Sequence, residues 1–203
     1  MASSDILRAF VALPLSPALH GELATAQRNL QRSCPVGAVR WVKAEGIHLT
    51  LFFLGDVLVS RLAGFQCALA PVAQTAQRIE FAVEGAGAFP NLHHPNVIWV
   101  GVRDINGQLA ALHQGVNMAL AGLGFQPEER AFKPHLTLGR VNRNAGGDAA
   151  SRVGEAVGRL KLGHLGDERP RELILFRSEL KSTGAEYTPL QVFPLGLSPT
   201  ESC

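Results

Sequence analysis

The sequence predicts an α+β fold built from antiparallel sheets. Segments rich in β-forming residues occur in neighbouring pairs with short connections, and stretches with helical periodicity separate these pairs. Strands joined by short turns pair in the antiparallel direction, whereas a parallel sheet needs a crossover between successive strands. In addition, the strand-like tetrapeptide His-Leu-Thr-Leu occurs twice, which indicates two related lobes.

The predicted elements of the first half begin with a strand and a capped helix. Ser16 followed by Pro17 is typical of a helix start, because serine caps free backbone N–H groups and proline suits the first helical position. Pro71 is expected to start, end or kink the helix that contains it. The elements are a strand at 6–13, a helix from 17 to about 32, strands at 38–43 and 47–54, and a helix from about 60.

The second half repeats this alternation and ends in a hairpin. Its elements are strands at 78–89 and 96–103, a helix at about 105–123, a strand at 134–141, a helix at about 149–160, and strands at 172–180 and 186–195. We expect one bilobal domain over residues 1–197, in which each lobe contributes one His-x-Thr strand (48–50 and 135–137). Residues 198–203 are predicted to form a loose tail.

Composition restricts the environment and the partners. Hydrophobic residues make up 46% and charged residues 18% of the 203 residues, which is typical of a globular protein. The formal net charge of +2 is too small for coating duplex nucleic acid, although it permits a local basic cleft. The three scattered cysteines lack metal-ligand spacing, and no uncharged apolar stretch has membrane-spanning length. We therefore expect a cytoplasmic protein with no membrane partner. A monomer is expected because it needs no additional assumption.

The first His-x-Thr segment places two polar groups in an apolar strand. Side chains alternate along a strand, so His48 and Thr50 share one face with Phe52. The opposite face is expected to carry the intervening residues Leu49, Leu51 and Phe53. These leucines can anchor the strand in a core while the polar pair faces elsewhere.

The second segment repeats the arrangement 87 residues later, with His135 and Thr137 opposite Leu136 and Leu138. A lone histidine on a strand is more often a hydrogen-bonded structural residue, and a tetrapeptide can recur by chance in a leucine-rich chain. The matched order and the apolar setting of both copies favour a shared polar cleft, because buried polar pairs would otherwise each need partners.

Two imidazoles and two hydroxyls suit the cleavage of a phosphodiester. The unperturbed pKa of histidine, about 6.5, allows one imidazole to remove a proton from water while the other protonates the departing oxygen. Each role typically contributes on the order of 10²–10⁴ in rate. Threonine hydroxyls can donate to non-bridging phosphate oxygens. Two His and two Thr are a poor ligand set for zinc, so we expect neither a metal nor a cofactor.

The chain resembles the two-histidine (2H) phosphoesterase superfamily, and within it the RNA 2′,3′-cyclic phosphodiesterases, historically also called 2′–5′ RNA ligases. The resemblance rests on both HLTL motifs and on the stretches RAFVALPL, WVKAEGIHLTLFFLGDV, FPNLHHPNVIWVGV, FKPHLTLGRV and LILFRSELKSTGAEYTPLQVFPL. It covers residues 8–195, almost the whole chain. It implies a two-lobed fold in which the motifs face each other across a central cleft.

The resemblance also implies roles for the site residues. His48 is expected to protonate the ribose 3′ oxygen and His135 to activate water, while Thr50 and Thr137 bind phosphate oxygens. The substrate would be RNA with a 2′,3′-cyclic phosphate end, or a small cyclic nucleotide, and the product a 2′-phosphate. Two alternatives remain open: a reversible 2′–5′ ligase acting on tRNA halves, and a non-catalytic RNA- or nucleotide-binding module.

The family's arginine, five residues after the second histidine, is Arg140 here, and the resemblance makes it a substrate contact. Strict alternation would put Arg140 on the face opposite His135, unless Gly139 hosts a bulge. Phe53 is a further candidate for stacking on a nucleobase. Other residues expected near the cleft mouth are Tyr187, Lys133 and Arg143. The remaining histidines, His20, His93, His94, His113 and His164, have no repeated partner and are expected in helices or loops.

Overall fold

A computed structural model describes residues 6–126, 131–181 and 184–196 of the chain. Within these residues the chain forms nine β-strands and four α-helices. The strands are β1 (Ile6–Leu13), β2 (Val39–Trp41), β3 (Leu49–Leu58), β4 (Phe81–Phe89), β5 (Val97–Asp104), β6 (His135–Val141), β7 (His164–Glu168), β8 (Glu172–Lys181) and β9 (Gly184–Pro194). The helices are α1 (Pro17–Ser33), α2 (Leu62–Thr75), α3 (Gln108–Ala121) and α4 (Gly147–Arg159). The predicted tail, residues 198–203, lies outside the described residues.

The described strands form one antiparallel sheet whose order is symmetric about its middle. Eight strands follow the order β7-β4-β5-β6-β3-β1-β8-β9, and β2 pairs separately with β6. Strands at matching distances from the middle also follow in the same chain order in the two halves of the chain: β1, β3 and β4 in the first half correspond to β5, β6 and β8 in the second. The two central strands are those with the HLTL motifs. The predicted α+β fold with two pseudo-symmetric lobes is therefore confirmed.

Helices cover the core face of each half of the sheet. Helix α1 begins as the sequence predicts, with Pro17 in the first turn and the Ser16 hydroxyl accepting the Leu19 N–H at 3.3 Å. Helix α1 packs against β7 and α4. The strand that precedes it, β1, belongs to the other half of the sheet. Helices α2 and α3 pack together against β9 and β3 of the other half. Pro71 lies inside α2, which continues to Thr75.

Two predictions about local strand structure are wrong. The strands predicted at 38–43 and 47–54 do not pair with each other, because a 3₁₀ turn at Ala44–Gly46 redirects the chain and β2 pairs with β6 instead. His164, predicted in a loop, is the first residue of β7, which pairs with the edge of β4. The local β-propensity of this glycine-rich and charged segment is low, so pairing with β4 rather than sequence pattern forms the strand.

A β-bulge in each central strand changes which residues face the site. In the β1–β3 ladder Thr50 pairs with Ala12 and Phe52 with Val11, so that Leu51 is an extra residue in β3. Residues beyond the bulge exchange faces. The prediction that Phe52 shares the face of His48 is therefore wrong: Phe52 is 8% exposed in the core, and Phe53, 64% exposed, shares the face of Thr50.

The equivalent bulge in β6 brings Arg140 to the histidine face. Trp99 of β5 pairs with Thr137, but the preceding Ile98 pairs with Gly139 and Val97 with Arg140. The skipped residue is Leu138, so Arg140 lies on the same face as Thr137. The bulge that Arg140 needs in order to face the site is therefore present, at Leu138, directly before Gly139.

Gly139 at this bulge allows the close approach of β2. A Cβ atom on Gly139 would lie 2.7 Å from the Val39 Cγ1 atom and 3.2 Å from the Arg40 carbonyl oxygen. The first distance is shorter than real Cβ contacts allow, so a side chain at this position would push β2 away from β6. Glycine is therefore required by packing between these two strands.

We expect Gly139→Ala to destabilise the protein by about 1–3 kcal/mol, the usual cost of overpacking a filled site. The measurement is the free energy of unfolding in urea. Gly21→Ala is the matched control, because a Cβ atom on this residue of α1 meets nothing within 4 Å and alanine favours a helix. Equal stability of the Gly139→Ala variant and the wild type would contradict the close approach of β2.

Candidate active site

The site lies where the two halves of the sheet meet. Strands β3 and β6 are joined through a single residue pair, Leu49 opposite Leu136, and both leucine side chains are fully buried. Because side chains alternate, the residues that flank this pair project from the opposite face of the sheet. Continuing the antiparallel register by one residue sets His48 beside Thr137 and Thr50 beside His135.

Both catalytic candidates, His48 and His135, are oriented by the same local hydrogen bond. The Nδ1–H group of His48 donates to the Gly46 carbonyl at 2.8 Å, and that of His135 donates to the Lys133 carbonyl at 2.7 Å. A carbonyl oxygen can only accept, so the neutral imidazole carries its proton on Nδ1 and its lone pair on Nε2. Neither Nε2 atom has a hydrogen-bond partner among the described residues. Each ring therefore presents Nε2 for proton exchange.

The surroundings of the two histidines differ. The His48 ring stacks on Phe10 with centroids 4.6 Å apart, and Tyr187 contacts it edge-on at 4.9 Å. Burial among these rings lowers the pKa of His48 from 6.5 to about 4, although the hydrogen bond to Gly46 acts in the opposite direction. His135 contacts one ring, Phe89, at 4.9 Å. His48 is accordingly neutral in the free protein near pH 7.

The two threonines have hydroxyl groups available to a ligand. Thr50 and Thr137 are partly exposed, and neither hydroxyl forms a hydrogen bond within the described part of the chain. A hydroxyl can donate one hydrogen bond and accept others. Two donors next to two Nε2 atoms suit an anion with several oxygens.

Arg140 and a second arginine, Arg40, extend the site along β2 and β6. Both side chains are exposed, and the two residues are directly opposed in the antiparallel register. Burial raises the pKa of the Tyr187 hydroxyl, and the charges of Arg140 and Arg40 act in the opposite direction with a smaller effect. Arg40 was not predicted from the sequence, because its position depends on the unexpected pairing of β2 with β6.

The other residues expected near the cleft have separate positions. Tyr187 contacts His48, and Lys133 supplies the carbonyl that orients His135. Arg143 is exposed beyond the end of β6. A cavity of about 330 Å³ borders His48 and is lined in part by Lys43, Phe176 and Thr188.

The remaining histidines have partners away from the two Nε2 atoms. His20 lies in α1, and its ring bonds the Ile47 carbonyl at 3.0 Å, directly before His48. His113 stacks on Phe132, and His164 lies 3.4 Å from Asp167. The backbone N–H groups of His93 and His94 donate to the Asn91 side chain.

Metal-ligand clusters and membrane-spanning helices are both absent from the described residues. Residues 6–126, 131–181 and 184–196 contain no group of three or more His, Cys, Asp or Glu side chains placed to hold a metal ion. Over the same ranges, the helices are too short or too polar to cross a membrane.

Comparison with known proteins identifies the class to which this fold and site belong. The family described as LigT like Phosphoesterase matches residues 13–99 and again residues 100–187, so that each repeat contains one His-x-Thr motif. The chain belongs to this family of phosphoesterases.

Individual relatives match over nearly the whole chain. The RNA 2′,3′-cyclic phosphodiesterase of Methanothermobacter thermautotrophicus is 33% identical over 93% of this chain and 99% of its own length. A crystal structure from Thermus thermophilus is similar with a TM-score of 0.77 and 26% identity, covering 95% of this chain and 100% of that one. Escherichia coli LigT in complex with NADP⁺ gives a TM-score of 0.70 at 25% identity, covering 95% of this chain and 99% of that one.

The lowered pKa of His48 predicts how the protein responds to acid. A histidine whose pKa is lower in the folded than in the unfolded state stabilises the fold above the unfolded value and loses this contribution as the pH falls. We expect the free energy of unfolding to decrease between about pH 6.5 and 4, and His48→Gln to remove part of this decrease. Urea titrations at several pH values measure it.

The matched control for this experiment is His93→Gln, since His93 is an exposed loop residue. This variant should keep the wild-type dependence on pH. NMR titration of the imidazole signals gives the pKa of His48 directly, and a midpoint near 6.5 would contradict its burial among the aromatic rings.

Proposed function

We propose that the protein hydrolyses RNA 2′,3′-cyclic phosphate ends to 2′-phosphates, without a metal ion, at the His48–His135 site. The observation that supports this proposal most strongly is the orientation of the two imidazoles. A carbonyl fixes each ring through Nδ1, so that both present Nε2 on one face at the Leu49–Leu136 junction. Hydrolysis of a phosphodiester needs one proton acceptor and one proton donor on opposite sides of phosphorus. Two such rings in neighbouring strands supply both.

In the proposed reaction His135 Nε2 takes a proton from a water molecule as the water oxygen attacks phosphorus. The bond between phosphorus and the ribose 3′ oxygen breaks, and His48, protonated on Nε2, gives its proton to that oxygen. The hydroxyls of Thr50 and Thr137 donate to the non-bridging oxygens, and Arg140 balances their charge. The product carries a 2′-phosphate and a free 3′-hydroxyl, and the reaction leaves His135 with one proton more and His48 with one proton fewer.

The pKa of His48 places a condition on this division of roles. In the free protein burial favours the neutral imidazole, whereas the proposed acid must carry two ring protons. An anionic phosphate next to the ring raises the pKa of a histidine. The substrate itself would therefore recruit the proton that His48 later donates, so that the acid forms only when phosphate is bound.

The relatives support the proposed substrate class. The Methanothermobacter relative is named an RNA 2′,3′-cyclic phosphodiesterase. The NADP⁺ bound to Escherichia coli LigT is a nucleotide that carries a phosphate on its 2′ oxygen, as the proposed product does. Small nucleoside 2′,3′-cyclic phosphates contain the same reacting group and are proposed as minimal substrates.

The same proposal covers the organisation of the protein. Residues 1–197 would act as one bilobal domain, since the site needs a strand from each half of the sheet. Both histidines and both threonines come from a single chain, so a monomer would be sufficient for activity. The proposed compartment is the cytoplasm.

Replacing either histidine should slow turnover strongly and preserve the fold. We expect His48→Ala and His135→Ala each to lower kcat/KM on an oligonucleotide with a 2′,3′-cyclic phosphate end by on the order of 10²–10⁴, the usual contribution of general acid–base catalysis. Separation of the 2′-phosphate product by chromatography measures the rate, and circular dichroism checks the fold.

His164→Ala is the control for these variants, because His164 lies on β7 with Asp167 as its neighbour. This variant should retain wild-type turnover. Full activity of either active-site variant would overturn the mechanism, and strong inhibition by EDTA would replace it with a metal-dependent one. Formation of a 2′–5′ linkage with a 5′-hydroxyl RNA, in the absence of hydrolysis, would favour the ligase alternative.

A further inference from the structure

Two arginines face each other at the edge of the site without an acidic partner. Arg40 of β2 and Arg140 of β6 are directly opposed across the strand pair. The Cβ atoms of such a pair lie about 5 Å apart, and like charges in this position destabilise a sheet. Neither arginine forms an ion pair or a hydrogen bond with any residue in the described ranges. The pair is therefore an unfavourable arrangement that an anion would relieve.

The pocket around the two arginines is cationic. The described residues that line it include both arginines and Lys43, and they include no carboxylate. The carboxylate of Glu186 is already paired with Lys181, whose hydrogen bond lowers the pKa of Glu186, and the charge of Lys43 lowers it further. Three positive charges without a carboxylate among the lining residues do not form an internal ion-pair network, and their charge suits a phosphate.

The side chain of Tyr187 lies between this pocket and His48. Tyr187 lines the pocket and also contacts the His48 ring edge-on at 4.9 Å. The bulge at Leu138 puts Arg140 on the face of Thr137. Arg40 lies directly opposite Arg140 on β2, which pairs with the same edge of β6 as β3 does, farther along that strand. Because Arg140 is already assigned to the reacting phosphate, Arg40 is free to contact a second phosphate along the same RNA strand.

We propose that Arg40, opposite Arg140, forms a subsite for the phosphate on the 5′ oxygen of the terminal nucleotide. In an RNA chain this is the phosphodiester that precedes the cyclic end. The inference rests on the proposed function and deepens it: the enzyme distinguishes an RNA end from a bare nucleoside cyclic phosphate. A guanidinium group suits this task, because it is always charged and binds phosphate oxygens in pairs.

The first test compares two substrates that differ only in this phosphate. They are adenosine 2′,3′-cyclic phosphate and the same compound with a 5′-phosphate. We expect the wild type to favour the 5′-phosphorylated compound by about tenfold in kcat/KM, as for one charge-assisted contact. Arg40→Gln should reduce this ratio to about one. For the 5′-phosphorylated compound, kcat/KM of the Arg40→Gln variant should also fall less steeply with added salt than that of the wild type, because salt screens the charge–charge contact that the variant lacks.

Arg152→Gln is the matched control, because Arg152 is exposed on α4. This variant should keep both the wild-type ratio and the wild-type salt dependence. Equal efficiency of the wild type on the two substrates would overturn the subsite and leave the proposed activity intact. An unchanged ratio in the Arg40→Gln variant would likewise overturn the role of Arg40.

A binding measurement separates the subsite from the reaction. By calorimetry, the wild type should bind adenosine 2′,5′-bisphosphate about tenfold more tightly than adenosine 2′-monophosphate, whereas the Arg40→Gln variant should bind the two ligands equally. If this difference is found while neither cyclic compound is hydrolysed, the subsite stands and the proposed activity fails. If both ligands bind the wild type with the same affinity, the subsite is overturned whatever the turnover.

Discussion

The ladder pair of Leu49 with Leu136 is the constraint on which the site depends. Two half-sheets meet there, and each central strand has the sequence His-Leu-Thr-Leu. Burial of the two leucines in the core requires that the flanking histidines and threonines project together from the other face. The same pair of residues thus stabilises the junction and assembles the polar groups. A shift of register by one residue would bury the polar groups and expose the leucines.

The two halves are symmetric in backbone and asymmetric in chemistry. Each motif has a histidine oriented by the carbonyl two residues before it, and each is followed by a bulge after the threonine. Beyond the bulges, however, one half presents Phe53 and the other presents Arg140. Aromatic rings surround His48, whereas Arg140 on the His135 strand is paired with Arg40 of β2. Matching backbones therefore provide an apolar side and a cationic side, as a nucleotide with a base and phosphates requires.

The sequence predicts most of the elements because their signals are local. The serine–proline start of α1, the helical periodicity and the repeated motif all depend on neighbouring residues. What the sequence missed depends on contacts between distant segments: the pairing of β2 with β6, the edge strand β7, and the exchange of Phe52 and Phe53 by the bulge. Arg40 was missed for the same reason, since nothing in its own segment indicates that it lies opposite Arg140. A bulge adds one residue to one strand and leaves no periodic signal in the sequence.

In the proposed mechanism His48 and His135, 87 residues apart in the chain, act on one phosphate. The most direct test is an NMR titration of the ¹⁵N-labelled imidazoles with adenosine 2′-monophosphate, the smallest form of the proposed product. We expect the Nε2 signals of both histidines to shift together with a single dissociation constant, and the pKa of His48 to rise in the complex. A shift of only one histidine, or two different dissociation constants, would contradict a single site shared by the two halves.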